Sequence, residues 1–268
     1  MEILRENVDP EGFWRRVSRR GALMLLLDYD GTLAPFREQR DEAVPFPGVT
    51  ERLEALKRTP GCRPVLVSGR AIEHLLPLLG MEEPPEIWGS HGFERRLASG
   101  ERSDFVVEPR SLEALEEARR TASVHVSPGN IEVKPFSVAL HWRGADRDRR
   151  VEVDRTVGAR WNEIATAGGL WLDPFDGGME MKIPGRTKAD AVRRLREEAG
   201  DGVPLLYMGD DLTDEDAFRV LEPHELGVLV RGELRPTAAS VWIRPPTELF
   251  GWLDRCRAAL TGGVDAPR

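Results

Sequence analysis

The chain has 268 residues, of which 31% are charged and 40% hydrophobic, and its formal net charge is −8. This length accommodates one large domain or two modest ones, each with a buried core. The acidic balance argues against non-specific binding to nucleic acid or to an anionic membrane, which requires clustered positive charge. The two cysteines, Cys62 and Cys256, lack a CxxC spacing, so we expect neither a disulfide framework nor a zinc site.

The N-terminal segment has no pattern that indicates export. Acidic residues are interspersed among basic ones in residues 1–20, without the apolar stretch of a signal peptide. The longest apolar run near the start, residues 22–27, is far shorter than the ~20 residues of a transmembrane helix. We therefore expect a cytoplasmic protein, which we predict to be a monomer without nucleic-acid or membrane partners.

Buried strands and amphipathic helices alternate along most of the chain. Continuous apolar runs, which are typical of strands in a parallel sheet, occupy residues 22–27, 64–68, 204–208 and 226–230. Helical periodicity is predicted for residues 49–58, 187–199 and 213–221. The last segment opens with Thr213 and has Asp216 three residues later, which is close to a capping-box pattern. The alternation predicts a doubly wound α/β fold with a parallel sheet, in which ligands bind at the carboxyl ends of the strands.

The middle of the chain has another pattern. Alternating polar and apolar residues over 132–142 predict antiparallel strands, residues 146–167 read as a helix, and two more strands are predicted at 170–172 and 179–183. This succession suggests an α+β lid, or cap, inserted in the larger domain. We predict a core made of residues 1–103 and 184–268 and a cap made of residues 104–183.

Two carboxylates, Asp28 and Asp30, directly follow the first predicted strand. Like charges this close repel each other, so keeping both ionised requires positive charge, which a divalent cation supplies. Mg²⁺ prefers carboxylate oxygens, and a carboxylate can also attack phosphorus to form an aspartyl phosphate. A polar turn after a strand is the alternative interpretation.

Further polar residues follow the other strands or begin helices. Asp210 and Asp211 come after the third strand, where they could lie beside Asp28 and complete a cation site, whereas the acids after them suit a helix N-terminus. Ser68 ends the second strand and Lys188 lies in the first turn of a helix, and both positions suit a phosphate group. A simple N-cap and a solvated lysine are the alternatives for these two residues.

Together, the polar residues that follow these strands and begin this helix resemble the motifs of the haloacid dehalogenase superfamily of phosphatases. The residues that carry the resemblance are Asp28-Tyr-Asp30-Gly-Thr32, Ser68, Lys188 and Gly209-Asp-Asp211. The chain is more closely similar to the family of trehalose-6-phosphate phosphatases, whose motifs match residues 27–33, 67–70, 89–92, 132–134, 140–143 and 209–218. Residues 178–182 depart from the family's pattern, although Glu180 still aligns.

The resemblance implies the roles of the core residues. Asp28 would be the nucleophile, and Asp30 would be the general acid and afterwards the base. Mg²⁺ would be held by Asp28, Asp210 and the carbonyl of Asp30. Ser68 and Lys188 would bind the phosphoryl oxygens. The residues expected to orient the metal's waters and the lysine are Asp211 and Asp214.

The resemblance also implies a small-molecule substrate, trehalose 6-phosphate, from which phosphate is released. The residues expected to bind it are Thr32, Arg70, His91, Glu132, Lys134 and Glu180. A solvated cap face with an exposed ion pair is the alternative for the last three, and a structural role is the alternative for His91. We expect the tryptophans of the cap, Trp142, Trp161 and Trp171, in its hydrophobic core. Sucrose phosphate or a glycosyl-phosphoglycerate is an alternative substrate, and a non-catalytic sugar-phosphate-binding domain is an alternative function.

Overall fold

The computed structural model of the chain describes residues 1–6, 8–37, 40–103, 105–142, 147–175 and 178–262. The chain divides into two compact units, Met1–Asp104 with Arg186–Arg268, and Phe105–Gly185. Three residues used in the predictions lie outside the described residues: 104 at the predicted domain boundary, 143 in a family motif and 146 in a predicted helix. No helix of the described part of the chain is both long and apolar enough to span a bilayer.

The strands are numbered along the whole chain. They are β1 (Glu2–Ile3), β2 (Leu23–Leu27), β3 (Cys62–Val67), β4 (Glu86–Gly89), β5 (Glu94–Arg96), β6 (Ile131–Lys134), β7 (Ser137–His141), β8 (Trp171–Phe175), β9 (Gly178–Lys182), β10 (Leu205–Gly209), β11 (Leu226–Val230) and β12 (Val241–Ile243). The helices are α1 (Pro10–Arg20), α2 (Val49–Arg58), α3 (Ile72–Leu79), α4 (Pro109–His125), α5 (Arg147–Val153), α6 (Ala159–Gly168), α7 (Lys188–Ala199), α8 (Asp214–Arg219) and α9 (Thr247–Thr261).

The first unit contains a sheet whose order, within the described residues, is β1-β12-β11-β10-β2-β3-β4-β5. Neighbours from β12 to β4 are parallel, and only the outer pairs with β1 and β5 are antiparallel. Strand β2 lies between β10 and β3, and all five of its residues are buried. The predicted doubly wound α/β fold is therefore confirmed.

Helices cover both faces of this sheet. Alternate residues of β2 enter two hydrophobic clusters: Leu25 packs with residues of α1, α2, α3 and α9, and Leu26 packs with residues of α7 and α8. This burial on both faces explains why β2 is a continuous apolar run. Parallel strands place their carboxyl ends at one edge of the sheet, so β2, β3 and β10 deliver the residues that follow them to the same place.

The N-termini of two helices shape the candidate site. Thr187 caps α7, and a reciprocal capping box links it to Asp190. The capping box predicted at Thr213 is wrong: Thr213 already has helical dihedral angles, φ −67° and ψ −20°, and its side chain makes no capping hydrogen bond. The side chain of Asp214 instead accepts hydrogen bonds from the N–H groups of Asp210 and Asp211.

The second unit contains an antiparallel sheet, which in the described residues has the order β6-β7-β9-β8. Helices α4 and α6 pack against it, and its buried face includes Val138, Leu140, Met179 and Met181. The helix predicted over 146–167 is in fact α5 and α6, joined by a π-helical turn at Asp154–Gly158.

The opposite face of this sheet carries polar groups and is called the polar face below. By strand alternation and register it comprises Glu132, Lys134, Ser137, Ala139, His141, Trp171, Asp173, Glu180 and Lys182. Trp161 lies in the core as expected, fully buried, but the same expectation is wrong for Trp171, which is 52% exposed. Trp171 pairs with Lys182 in the register and shares the face of that lysine.

Candidate active site

Three charged side chains from distant segments meet in the core of the first unit. Asp28, which is 3% exposed, follows β2, and its Oδ1 accepts a hydrogen bond from Lys188 Nζ at 2.6 Å. The same ammonium donates to Asp214 Oδ1 at 2.7 Å. The hydroxyl of Thr32 lies 3.3 Å from the other carboxylate oxygen of Asp28, Oδ2. Lys188 therefore holds Asp28 and Asp214 together, and Thr32 orients Asp28.

Asp210 adds a third carboxylate to this group. Single oxygens of Asp28, Asp210 and Asp214 all lie within 4.8 Å of one another. Asp210 is 1% exposed, and its Oδ1 is buried without a hydrogen-bond partner among the described residues. A buried polar atom without a partner is costly, so this oxygen is suited to a ligand that supplies positive charge.

Asp214 differs from the other two carboxylates because its hydrogen-bonding capacity is already used. Its Oδ1 accepts from Tyr207 as well as from Lys188, at 2.6 and 2.7 Å. Its Oδ2 accepts from the N–H groups of Asp210 and Asp211 at 3.0 and 2.9 Å. Asp28 and Asp210 are therefore better placed to bind a cation, and Asp214 positions Lys188 and the loop after β10.

Burial and neighbouring charges shift the pKa values of three side chains in this group, Asp28, Asp210 and Lys188. Burial raises the pKa of Asp28 to about 7, although the charge of Lys188 opposes this effect. Burial and the neighbouring carboxylates Asp28 and Asp214 raise the pKa of Asp210 to about 9. Burial lowers the pKa of Lys188, but the charges of Asp214 and Asp28 outweigh it, so its pKa is raised and it stays protonated. Three ionised carboxylates would carry more negative charge than one ammonium neutralises.

Asp30 forms an ion pair with Arg70 at the rim of this group. Arg70 Nε and Nη2 donate to the two carboxylate oxygens of Asp30 at 2.7 and 2.6 Å. The arginine side chain is 9% exposed and the aspartate side chain 30% exposed. This bidentate pair fixes the orientation of the Asp30 carboxylate.

Ser68 is held by a loop with an unusual backbone. Its Oγ accepts from the N–H of Arg70 at 3.1 Å, and its carbonyl accepts from the N–H of His91 at 3.0 Å. Ser90 and His91 have φ angles of +48° and +58°, which are uncommon for residues other than glycine. Such backbone strain persists only where the surrounding structure enforces it, and it is often found at functional sites.

The enforcing group is a buried carboxylate, Glu94. Its Oε2 accepts hydrogen bonds from Ser90 Oγ at 2.6 Å and from the N–H of Ile72 at 3.3 Å, while Oε1 accepts from Arg102 at 2.8 Å. Glu94 thus connects the loop that contains His91 with the start of α3, directly after the Ser68 loop.

The second unit contains a cluster of its own on the polar face. Lys134 donates to Glu180 Oε1 at 2.8 Å, and Ser137 donates to the same oxygen at 2.7 Å. Nε2 of His141 lies 3.0 Å from Glu132 Oε2. The structure brings the three cap residues predicted to bind substrate into one cluster, in which Lys134 also lies 3.9 Å from Glu132.

Comparison with known proteins adds independent information. A family model described as trehalose-phosphatase matches residues 26–241. The chain belongs to the trehalose-phosphatase family. This result confirms the resemblance noted in the sequence.

Individual relatives agree with the family assignment. The chain is 32% identical over 254 residues to a trehalose-phosphate phosphatase of Mycobacterium tuberculosis, covering 89% of this chain and 62% of that protein. The chain therefore spans less than two thirds of the length of this curated relative.

Two solved structures share the fold. One is the C-terminal domain of C. albicans trehalose-6-phosphate phosphatase, with a TM-score of 0.75, 20% identity and coverage of 98% of this chain and 100% of that one. The other is a haloacid dehalogenase-like hydrolase from Bacteroides thetaiotaomicron, with a TM-score of 0.60, 18% identity and coverage of 90% and 99%. At these identities the likeness concerns the fold.

Several residues of the candidate site were not identified from sequence. Glu94 lies outside any motif, and Tyr207 is hidden in the apolar run of β10. Arg235 donates to the carbonyl of Asp211 at 2.7 Å and to that of Asp210 at 3.2 Å, which fixes the loop after β10. Asp211 itself is exposed and contributes to the loop through its backbone.

Proposed function

We propose that this chain hydrolyses trehalose 6-phosphate to trehalose and phosphate, as in trehalose biosynthesis, through a phosphoryl intermediate on Asp28. The observation that carries the proposal is the buried group in which Lys188 binds both Asp28 and Asp214 beside Asp210. The membership of the chain in the trehalose-phosphatase family supports the choice of substrate. The complete set of core motif residues argues against a non-catalytic sugar-phosphate-binding domain.

The proposed chemistry follows from the hydrogen bonds of Asp28. Thr32 and Lys188 orient its carboxylate, from which one oxygen attacks phosphorus while the bond between phosphorus and the sugar oxygen breaks. Asp30, in its protonated form, gives its proton to the departing sugar oxygen. Asp30, now ionised, accepts a proton from the water that attacks phosphorus next, and the release of phosphate restores the carboxylate of Asp28. The pair with Arg70 holds the carboxylate of Asp30 in position.

We also propose Mg²⁺ as the cofactor. Asp28, Asp210 and the carbonyl of Asp30 would hold it, and the unpartnered Oδ1 of Asp210 supports this assignment. A bound Mg²⁺ supplies the positive charge that the carboxylates lack and stabilises negative charge on the phosphoryl group. Ser68 and Lys188 remain the residues that we expect to hold the phosphoryl oxygens.

A glycine substitution tests the cation site without relying on activity. Gly31 has a φ of +78°, and a Cβ at this position would lie 2.1 Å from Asp210 Oδ2. Gly31→Ala must therefore displace the carboxylate of Asp210, and we expect the rise in melting temperature on addition of MgCl₂ to be largely lost.

The matched control for this test is Gly48→Ala. Gly48 also has a positive φ, +96°, but its Cβ would meet only the flexible end of Arg52, at 2.8 Å. Both variants carry the strain of an alanine in the left-handed region, roughly 1 kcal/mol. An equal response of the two variants to MgCl₂ contradicts the proposed metal site.

The sugar is proposed to bind to the cluster of Glu132, Lys134 and Glu180. Charged side chains form strong hydrogen bonds with hydroxyl groups, and a disaccharide offers many of these. Thr32, Arg70 and His91 remain predicted substrate contacts, although Thr32 and Arg70 are engaged with Asp28 and Asp30 in this structure.

A substrate panel tests the proposed function. Release of phosphate is measured from trehalose 6-phosphate, sucrose 6-phosphate and glucosyl-3-phosphoglycerate, with MgCl₂ and with a chelator in its place. We expect the highest kcat/KM on trehalose 6-phosphate and loss of activity with the chelator. A higher kcat/KM on either of the other compounds would show that trehalose 6-phosphate is not the substrate, but it would leave the proposed phosphatase mechanism in place.

A further inference from the structure

An exposed tryptophan on the polar face is not explained by the packing of the second unit. Trp171 is 52% exposed, whereas Trp161 of the same unit is fully buried and donates its indole N–H to the carbonyl of Ala118 at 3.0 Å. Leaving half of a large aromatic ring in water forgoes its burial, which is the main stabilising contribution of such a side chain. Leu172 is the adjacent residue of β8 that turns to the opposite, helix-covered face.

Trp171 lies on the same face of the sheet as the cluster that contains Glu180, one row away from that glutamate. In the register of the sheet, Trp171 pairs with Lys182 and Lys182 pairs with Ser137, while Asp173 pairs with Glu180 in the next row. Neighbouring strands are about 4.8 Å apart, so β8 and β7 are separated by roughly 10 Å across β9. This distance is comparable to the length of a disaccharide.

The charged groups around the ring are arranged in pairs. Lys182 Nζ lies 2.5 Å from Asp173 Oδ2 and 6.0 Å from the centre of the Trp171 ring. Lys134 is paired in the same way with Glu180. An anionic ligand would have to compete with these carboxylates for each ammonium group. A neutral ligand with many hydroxyl groups can instead bond to both members of a pair.

We propose that Trp171, Asp173 and Lys182 form a subsite for a neutral pyranose ring. The apolar face of the ring stacks on the indole, and its hydroxyl groups bond to Asp173 and Lys182. This inference rests on the proposed function, because the ring is the half of the disaccharide that carries no phosphate. Trp171 is thereby a specificity residue, which selects disaccharide phosphates over phosphate esters that lack a second ring.

The test compares substrates with and without a second ring. For Trp171→Ala we expect kcat/KM on trehalose 6-phosphate to fall roughly ten- to hundredfold, mainly through KM, as for loss of a stacking contact. Hydrolysis of para-nitrophenyl phosphate and of glucose 6-phosphate should stay within about twofold of the wild type. Trp171→Phe keeps a stacking surface and should recover most of the loss.

The control is Val124→Ala, which truncates another exposed apolar residue of the second unit, on α4. We expect it to change none of the three activities, and melting curves verify that all variants fold. An unchanged KM for trehalose 6-phosphate in Trp171→Ala overturns the inference. A loss of equal size on all three substrates also overturns it, because a general structural effect then explains the result.

A separate measurement distinguishes failure of the subsite from failure of the proposed function. If the wild type hydrolyses para-nitrophenyl phosphate but not trehalose 6-phosphate, the proposed substrate is wrong. Titration with trehalose, sucrose and maltose then examines the subsite directly. The tryptophan fluorescence of the wild type is measured at each sugar concentration, and that of Trp171→Phe is subtracted to give the signal of Trp171. A saturable change with any of these sugars supports the subsite, and the absence of a change with all three overturns it.

Discussion

Asp28→Asn is expected to abolish phosphate release, lowering kcat by at least about 10⁴-fold, while the protein remains folded. The amide has the shape of the carboxylate, but it cannot attack phosphorus. It also replaces a buried carboxyl group whose pKa burial raises to about 7, so the lost ion pair with Lys188 is partly offset by a smaller desolvation cost. Phosphate release is measured beside circular dichroism and a melting curve.

The comparison variant for this experiment is Asp30→Asn. It removes the proposed proton donor, so we expect a loss of about 10²–10⁴-fold on trehalose 6-phosphate. The loss should be much smaller on para-nitrophenyl phosphate, whose leaving group departs without a proton. Asp28→Asn should inactivate the enzyme on both substrates, and residual turnover near the wild-type rate refutes its assignment as the nucleophile.

Lys188→Met is expected to remove activity and also to lower the free energy of unfolding, by about 3–5 kcal/mol. The ammonium is almost fully buried and donates to two buried carboxylates. Removing it leaves these carboxylates without their compensating charge. Urea denaturation measures the loss, and Lys57→Met is the matched control because Lys57 forms an exposed pair with Glu83. We expect this control to change stability little.

The decrease in the free energy of unfolding caused by Lys188→Met, called the deficit here, should depend on pH. The charge of Lys188 lowers the pKa of Asp28, so without it this pKa rises further above its present value of about 7. An unfolded aspartate ionises from its ordinary pKa near 4, so raising the pH above that value favours the unfolded chain until the folded pKa is passed. We expect the deficit to be smaller at pH 5 than at pH 8, and an equal deficit at both contradicts the role of Lys188.

Strands and the residues that follow them were predictable because their signals are local. Strand β2 is a run of apolar residues that stops at Asp28, and helix α2 has the bounds predicted from its periodicity. Once the strands were identified as parallel, the meeting of Asp28 and Asp210 at one edge of the sheet followed from geometry. The family motifs then supplied Lys188, which local pattern left ambiguous.

Contacts between side chains from separate segments were not predictable in the same way. The ion pair of Asp30 with Arg70 depends on how loops fold back on each other. The same is true of the hydrogen bonds that link Glu94 to Ser90 and Ile72. Thr213 does not cap α8 because its own backbone is already helical, so its side chain is not placed to accept from the first amides of the helix. Trp171 is different: the alternation of Leu170-Trp-Leu172 already placed it opposite the two leucines, but its hydrophobicity was given more weight than its position.

The position of β2 in the sheet has a consequence for synthesis of the chain. β2 pairs with β3 soon after it emerges from the ribosome, but its other partner, β10, follows only after the whole second unit has been translated. During that interval one edge of an apolar strand has unpaired backbone groups, which is a condition that favours aggregation. We expect nascent chains that end before Leu205 to require a chaperone.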